Sequence, residues 1–176
     1  IYAIATLPLL QHLDVTRCAT LPLLQPLDVT RCPRITDAGI CALSSSSSLL
    51  HLKMSFCNQP GITDVGIRSL ATSPSLLRLN MRGCYQAGIT DIGIRALATS
   101  SSLRHLDMSF CLQAGITDVG ICALADLPTL VHLNMSWCKQ ADITDVGICA
   151  LSSSSSLLYL SMACCNQPGI TDVGIC

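Results

Sequence analysis

The sequence has 176 residues, a formal net charge of −1 and 50% hydrophobic residues. These values exclude a disordered chain, because disorder needs low hydrophobicity and high net charge. The near-neutral charge also gives no reason to expect nucleic acid or an anionic membrane as a partner. All eleven acidic residues are Asp, which suggests that most of them share one recurring structural role.

The N-terminal segment predicts neither a signal peptide nor a membrane span. Ile1 opens directly into IYAIATLPLL without a basic region, and apolar runs throughout the chain end well before the roughly 18 residues that a spanning helix needs. The missing initiator Met predicts a fragment without terminal caps. We expect a cytoplasmic location, although a targeting signal could belong to a longer chain.

Taken in chain order, the predicted elements are copies of one unit. IYAIAT is similar to the end of a helix, and LLQHLDVTRC from Leu9 is a strand half that lacks a helix half, so the packing of residues 7–24 is uncertain. The next unit has two residues fewer between Cys32 and its ITD motif. Complete units then cover residues 49–75, 76–102, 103–129 and 130–156, and a truncated copy covers residues 157–176. The prediction is one domain over residues 1–176 with six to seven repeats of about 27 residues.

Each unit contains a short strand followed by a short helix. Leu52 and Met54 alternate with polar neighbours, which is typical of a strand with one buried face. Ile67 and Leu70 have the three-residue spacing of an inward helical face. Thr63 is a natural N-cap, and Asp64 complements the positive end of the helix dipole. Stacking would bury these apolar faces, and each buried Leu or Ile contributes about 1.5–3 kcal/mol.

The repeated motifs are L-x-x-L-x-[LM]-x-x-C and, after it, ITD-x-GI-x-x-L. They resemble the cysteine-containing leucine-rich repeats of RNI-like proteins and of the F-box receptor subunits of ubiquitin ligases. The resemblance implies an α/β right-handed solenoid, a horseshoe with a parallel sheet on the concave face and short helices on the convex face. It further implies protein binding without catalysis or a cofactor. The sequence departs from the family in a two-residue extension after most Cys positions, and it contains no F-box segment.

The cysteines follow the repeat instead of the irregular spacing of a disulfide framework. One set recurs every 27 residues, at Cys57, Cys84, Cys111, Cys138 and Cys165. We predict free buried thiols in a reducing compartment, because aligned repeat positions carry parallel side chains. A second set shares its position with Arg68 and Arg95 and is predicted to be exposed on the convex face, at Cys41, Cys122, Cys149 and Cys176.

The candidate site consists of columns of side chains that point outward from the predicted strands. These columns would line a concave surface, because strands stack about 4.8 Å apart whereas helices need roughly 8–10 Å. The predicted partner-binding residues are His51, Lys53, Phe56, Arg78, Arg82, His105, Asp107, Phe110, His132, Asn134, Trp137 and Tyr159.

The chemistry of these columns leaves alternatives open. Phe56, Phe110 and Trp137 share one position, where they could anchor a partner or pack over the following loop. Lys53, Arg78, Arg82 and Arg104 predict a basic centre suited to an acidic or phosphorylated segment, with a solvated mixed-charge face as the alternative. His105 and His132 beside Asp107 have the composition of a zinc site. A duplicated surface column explains them better, so no metal is predicted.

The leading functional hypothesis is protein recognition by a monomer or by one part of a larger complex. A narrower hypothesis is the substrate-recognition part of an F-box-type ubiquitin ligase receptor. The alternative is a structural or cell-surface repeat protein without one specific site, which the near-identity of the units favours. Catalysis is not expected, because every chemically suggestive residue recurs with the repeat whereas an active site is usually singular.

Overall fold

The computed structural model describes residues 26–175 as six strands that alternate with six helices in one parallel sheet of order β1-β2-β3-β4-β5-β6. The strands are β1 (Leu27–Asp28), β2 (His51–Lys53), β3 (Arg78–Asn80), β4 (His105–Asp107), β5 (His132–Asn134) and β6 (Tyr159–Ser161). The helices are α1 (Asp37–Ser44), α2 (Asp64–Ala71), α3 (Asp91–Leu97), α4 (Asp118–Ala125), α5 (Asp145–Ser152) and α6 (Asp172–Ile175).

This architecture confirms the predicted α/β leucine-rich-repeat solenoid. The register pairs equivalent positions of successive units, so that Leu52 lies opposite Leu79 and Leu79 opposite Leu106. Every repeat position therefore forms a column along the stack. The predicted strand half from Leu9, and the packing of residues 7–24, lie outside the described residues.

The core lies between the sheet and the helices and is built from the same apolar columns in every unit. In the unit of β2 and α2 the side chains of Leu52, Met54, Cys57, Ile67 and Leu70 are all at most 1% exposed. The alternation of Leu52 and Met54 and the three-residue spacing in the helix were therefore correct predictors of the buried faces.

Each helix-start Asp binds the next repeat as well as beginning its own helix. The Asp91 carboxylate accepts hydrogen bonds from the Thr117 amide at 2.9 Å, the Thr117 hydroxyl at 2.7 Å and the Gly120 amide at 2.9 Å. Asp37, Asp64 and Asp118 make the equivalent three bonds, and Asp145 accepts the two from Thr171. The predicted Thr cap is present in α2, where Thr63 accepts from the Val65 amide, but Thr36 makes no side-chain cap bond in α1.

The helix glycine of each unit makes room for this carboxylate. A Cβ at Gly120 would lie 2.6 Å from Asp91 Oδ1, far inside van der Waals contact, and 3.2 Å from Ile94 Cβ. These glycines therefore allow close approach between units, and the approaching group is the Asp of the preceding repeat.

The interior thiols bond to the backbone of the preceding unit. Cys84 Sγ donates to the Met54 carbonyl at 3.0 Å, and Gln113 Nε2 donates to the Cys84 carbonyl at 2.6 Å. Burial raises the pKa of the Cys57 thiol to about 11 and the pKa of Cys84 and Cys138 to about 12. The described cysteines are free, as predicted, but in the set predicted to be buried Cys165 is only half-buried.

The second cysteine set is less exposed than predicted. Cys149 is exposed, but Cys41 and Cys122 are half-buried. Their short thiol side chains are partly covered at a position where the longer Arg68 and Arg95 side chains reach solvent. Cys176 lies outside the described residues.

Candidate protein-binding face

The first outward column is the residue that opens each strand. His51 pairs in register with Arg78, Arg78 with His105, His105 with His132 and His132 with Tyr159. The ring centroids are 5.7 Å apart for His105 and His132 and 5.8 Å apart for His132 and Tyr159. The structure therefore brings these five predicted residues into one continuous row on the concave face.

Positive charge surrounds the middle of this row. Desolvation lowers the pKa of His105 below its ordinary value, and the neighbouring Arg78 guanidinium lowers it further. His132, His51 and Arg104 act in the same direction. His105 is therefore protonated less readily than a free imidazole, and an anionic group placed beside it would oppose that effect.

The second outward column is held by hydrogen bonds along the sheet. Asn80 Nδ2 donates to Asp107 Oδ2 at 3.2 Å, and the Ser109 hydroxyl donates to Asp107 Oδ1 at 2.7 Å. Asn134 Oδ1 accepts from the Ser136 amide at 3.1 Å. Asp107 and Asn134 thus lie on the concave face with part of their hydrogen-bonding capacity already used.

The predicted basic centre is smaller than the sequence suggested. Lys53 Nζ lies 3.0 Å from Asp28 Oδ2, and this is the one ion pair within residues 26–175. The prediction left the Asp residues at the helix starts out of the charge count, because they lie away from this face. It also overlooked Asp28, which lies on the adjacent strand and neutralises Lys53. Positive charge without a paired carboxylate is left at Arg78, Arg82 and Arg104.

The residue before each column cysteine has a left-handed backbone. The φ angles are 56° at Phe56, 59° at Phe110 and 63° at Trp137, with 57° at Arg31 and 61° at Cys164. Each ends its strand in a four-residue turn: the Cys57 amide donates to the Met54 carbonyl at 3.3 Å. Positive φ at the third turn position favours Gly, and one unit has Gly there, Gly83 with φ 65°.

The aromatic side chains of this column pack along the edge of the sheet and remain partly exposed. Phe110 and Trp137 stack with centroids 5.3 Å apart and planes 12° apart. Phe56 lies against Gly83, where a Cβ would come within 2.5 Å of its ring. Trp137 is 41% exposed and Phe56 36%. The two interpretations of these rings, packing and binding, therefore describe different sides of the same residues.

Packing and binding are both compatible with the energies involved. A left-handed residue other than Gly costs about 1–2 kcal/mol. A stacked aromatic pair gains about 0.5–1.5 kcal/mol beyond its buried area, and the buried part of each ring adds to that gain. Edge packing therefore offsets the backbone cost, and the exposed parts of the rings remain accessible to a partner.

Two exposed apolar residues at the same edge were missed by the sequence analysis. Tyr85 is 53% exposed and Leu112 is 51% exposed, each directly after a column cysteine. The signal was available, since this position varies from repeat to repeat. We use the name aromatic rim for eight of the residues that directly precede or follow a column cysteine: Arg31, Phe56, Gly83, Tyr85, Phe110, Leu112, Trp137 and Lys139.

The geometry also bears on a metal site and on a membrane-spanning helix. Within residues 26–175 no group of three or more His, Cys, Asp or Glu side chains is arranged to hold a metal ion, and His105 and His132 form a ring pair. In the same part of the chain no helix has both the length and the apolar character needed to cross a membrane.

Comparison with known proteins supports the fold. A leucine-rich-repeat family model matches residues 99–125, which is one repeat length. A chain from the crystal structure of the yeast Rad7 and Elc1 complex aligns with a TM-score of 0.61 and 22% identity over 80% of this chain. The alignment covers 35% of that yeast chain, so the present chain corresponds to about a third of its length. A search of curated proteins gave no significant match.

The matched unit recurs in register through the described part of the chain, with one strand and one helix in each copy. The interior columns that define the repeat are the ones that form the core. The chain therefore has the leucine-rich-repeat solenoid fold.

Proposed function

We propose that this chain is a protein-recognition module that binds an acidic or phosphorylated segment of a partner on its concave face. Stacked repeats of this kind present extended concave surfaces suited to binding. The proposed contact residues are the twelve predicted ones, with Arg104 added beside them. No catalytic role is assigned to any of them.

The observation that carries this proposal is where the repeats differ from one another. The interior columns scarcely change along the chain: Leu52, Leu79, Leu106 and Leu133 share one position. The outward column beside them instead contains His51, Arg78, His105, His132 and Tyr159. Stacking requires the first kind of column to be constant, whereas recognition of one partner requires the second kind to vary.

The acidic character of the partner follows from the charges on this face. Arg78 and Arg104 are exposed and flank the half-buried His105. Arg guanidinium groups are well suited to carboxylate and phosphate, because their donors match the geometry of these anions. An anion seated between Arg78 and Arg104 would also relieve the mutual repulsion among Arg78, Arg104 and protonated His105.

Charge reversal tests the proposal. Peptides selected from a random display library against the wild-type chain should be acidic, and the double variant Arg78→Glu with Arg104→Glu should bind them at least about tenfold more weakly. The matched control is Arg68→Glu with Arg95→Glu, which changes the net charge equally on the helix face. Its affinity, measured by fluorescence polarisation, should stay near that of the wild type. Equal weakening by both pairs would exclude the concave face as the specific site.

A narrower proposal is the substrate-recognition part of an F-box-type ubiquitin ligase receptor in the cytoplasm. It is supported by the resemblance of the repeat motifs to such receptors. An F-box segment encoded next to this chain, together with recovery of ligase adaptor subunits on the full-length protein, would support it. An adjacent membrane anchor or signal peptide would contradict it.

The alternative is a structural repeat protein without one specific site. The near-identity of the units favours it, because one specific site requires the outward columns to vary from unit to unit. Display selection distinguishes the two: a family of related peptides supports recognition, and only unrelated, salt-insensitive binders support the structural role.

A further inference from the structure

The aromatic rim is an exposed apolar feature at one edge of the sheet. Trp137, Phe56, Tyr85 and Leu112 are between 36% and 53% exposed, and they lie at the edge where the strands end. The connections at the opposite edge are rich in Ser and Pro, as at Ser44–Ser48. Such an apolar strip on a protein surface is characteristic of an interaction site.

The backbone of the rim shows that its rings are retained at some conformational expense. Phe56, Phe110 and Trp137 hold left-handed backbone angles that the equivalent Gly83 adopts without strain. Backbone strain of this kind clusters at functional sites. It therefore distinguishes this row from the other exposed columns as a candidate for partner binding.

Three cations accompany the rings. The Arg31 guanidinium lies 5.4 Å from the Phe56 centroid, the Arg82 guanidinium 4.5 Å from the Phe110 centroid, and Lys139 Nζ 5.0 Å from the Trp137 centroid. The ion pair within residues 26–175 is elsewhere, between Lys53 and Asp28. The rim therefore presents alternating apolar and positive groups, and its complement is a segment that carries both apolar and acidic side chains.

The spacing of two of these cations agrees with an extended conformation of that segment. Arg31 and Arg82 belong to the units of β1 and β3, and each lies over the ring of the following unit. Two strand spacings of about 4.8 Å therefore separate their charged groups, roughly 10 Å in all. A polyproline II segment rises about 3.1 Å per residue with three residues per turn, so acidic side chains three positions apart point the same way and lie roughly 9 Å apart.

We propose that the aromatic rim binds an extended, polyproline-II-like peptide segment with an acidic residue at every third position and apolar residues between them. This inference rests on the proposed function and names the class of partner. The acidic side chains would meet Arg31 and Arg82, with Lys139 as a third positive group beside Trp137. The apolar side chains would contact the exposed parts of Phe56, Tyr85, Leu112 and Trp137.

The probe is a synthetic peptide with three copies of the tripeptide Asp-Leu-Pro. The wild-type chain should bind it at least about tenfold more tightly than a scrambled peptide of the same composition, a Lys-Leu-Pro peptide or an Asp-Ser-Pro peptide. Equal binding of the scrambled peptide would contradict the spacing. Equal binding of the Lys peptide would contradict the charge complementarity. Binding to anionic lipid vesicles in place of the peptide would overturn the proposal in favour of a membrane surface.

Variants to Gly separate binding from stability. Trp137→Gly and Phe110→Gly should each weaken binding of the Asp-Leu-Pro peptide about tenfold, measured at a temperature at which circular dichroism shows each variant to be folded. Their melting temperatures should fall, because relieved backbone strain offsets only part of the lost ring burial. Cys164→Gly is the matched control: it relieves the same strain without removing a ring, and its affinity should not change. Trp137→Phe should keep most of the affinity.

The outcomes distinguish this inference from the proposed function. If Trp137→Gly binds the peptide as the wild type does, the rim proposal fails. The concave-face proposal still stands if display-selected acidic peptides remain sensitive to Arg78→Glu with Arg104→Glu. If neither peptide class binds specifically, both proposals fail together.

Discussion

Asp91→Ala should lower the free energy of unfolding by about 2–4 kcal/mol, because it removes the acceptor of three hydrogen bonds at once. The Thr117 amide, the Thr117 hydroxyl and the Gly120 amide all donate to this carboxylate. Bonds to a charged acceptor are worth about 1.5–3 kcal/mol each, and water can replace part of the loss at this half-buried position. The change acts on the junction between two repeats in the middle of the stack.

Urea denaturation followed by two signals measures this effect. Circular dichroism reports on all helices, and fluorescence reports on Trp137, the single Trp in the chain, which lies on the C-terminal side of the Asp91 junction. Weakening one junction in a repeat stack reduces its cooperativity, so the two midpoints should fall and separate. The control Asp126→Ala removes an exposed carboxylate at the other edge and should change stability by less than about 0.5 kcal/mol. Equal effects of the two substitutions would contradict this account of the Asp column.

Gly120→Ala should also destabilise the chain, by about 1–3 kcal/mol, although Ala is the better helix former. The new Cβ would lie 2.6 Å from Asp91 Oδ1 and 3.2 Å from Ile94 Cβ. The carboxylate must therefore withdraw from its hydrogen bonds. Within residues 26–175 a Cβ at the equivalent Gly39 would meet only an ordinary contact, 3.8 Å to Ile35 Cγ1. Gly39→Ala should therefore be neutral or should stabilise α1 by up to about 1 kcal/mol.

The same two positions provide a test of coupling. The double variant Asp91→Ala with Gly120→Ala should be less unstable than the sum of the single variants, because the carboxylate that the new Cβ would meet is no longer there. Thermal and urea unfolding of the wild type, the two single variants and the double variant would complete this double-mutant cycle. Strict additivity would show that the Gly is needed for a reason unrelated to Asp91.

The fold was predictable from the sequence because its determinants repeat. A column position sampled in several units shows whether it is apolar, capping or variable, and Thr63, Ile67 and Cys57 were each assigned correctly on this basis. Parallel register then follows from the constant spacing, so the row from His51 to Tyr159 could also be foreseen. Repetition replaces the alignment that a single sequence does not provide.

The contacts that the sequence did not predict are those made by side chains that turn towards a neighbouring repeat. Asp64 was assigned to the dipole of its own helix, but its carboxylate also bonds to Thr90 and Gly93 of the next unit. The neutralisation of Lys53 depends on Asp28 lying directly beside it in register. Neither the strand pattern nor the charge count shows which way these side chains turn.

The left-handed column was hidden for a different reason. Bulky residues such as Phe56 and Trp137 rarely adopt positive φ, so their residue types did not predict the left-handed conformation that they adopt. Gly83, at the same repeat position, was the one residue whose type agreed with it. The disagreement between residue type and backbone at this column is what draws attention to the rim.

Protection from chemical labelling tests the central claim, that a partner lies on the sheet side of the solenoid, most directly. The chain would be treated with a histidine-acylating reagent and a thiol-alkylating reagent, with and without a bound acidic peptide, and analysed by mass spectrometry. The account predicts that His51, His105 and His132 lose reactivity in the complex, while the exposed Cys149 on the helix face keeps its own. Protection of Cys149 with unchanged labelling of the three histidines would contradict it.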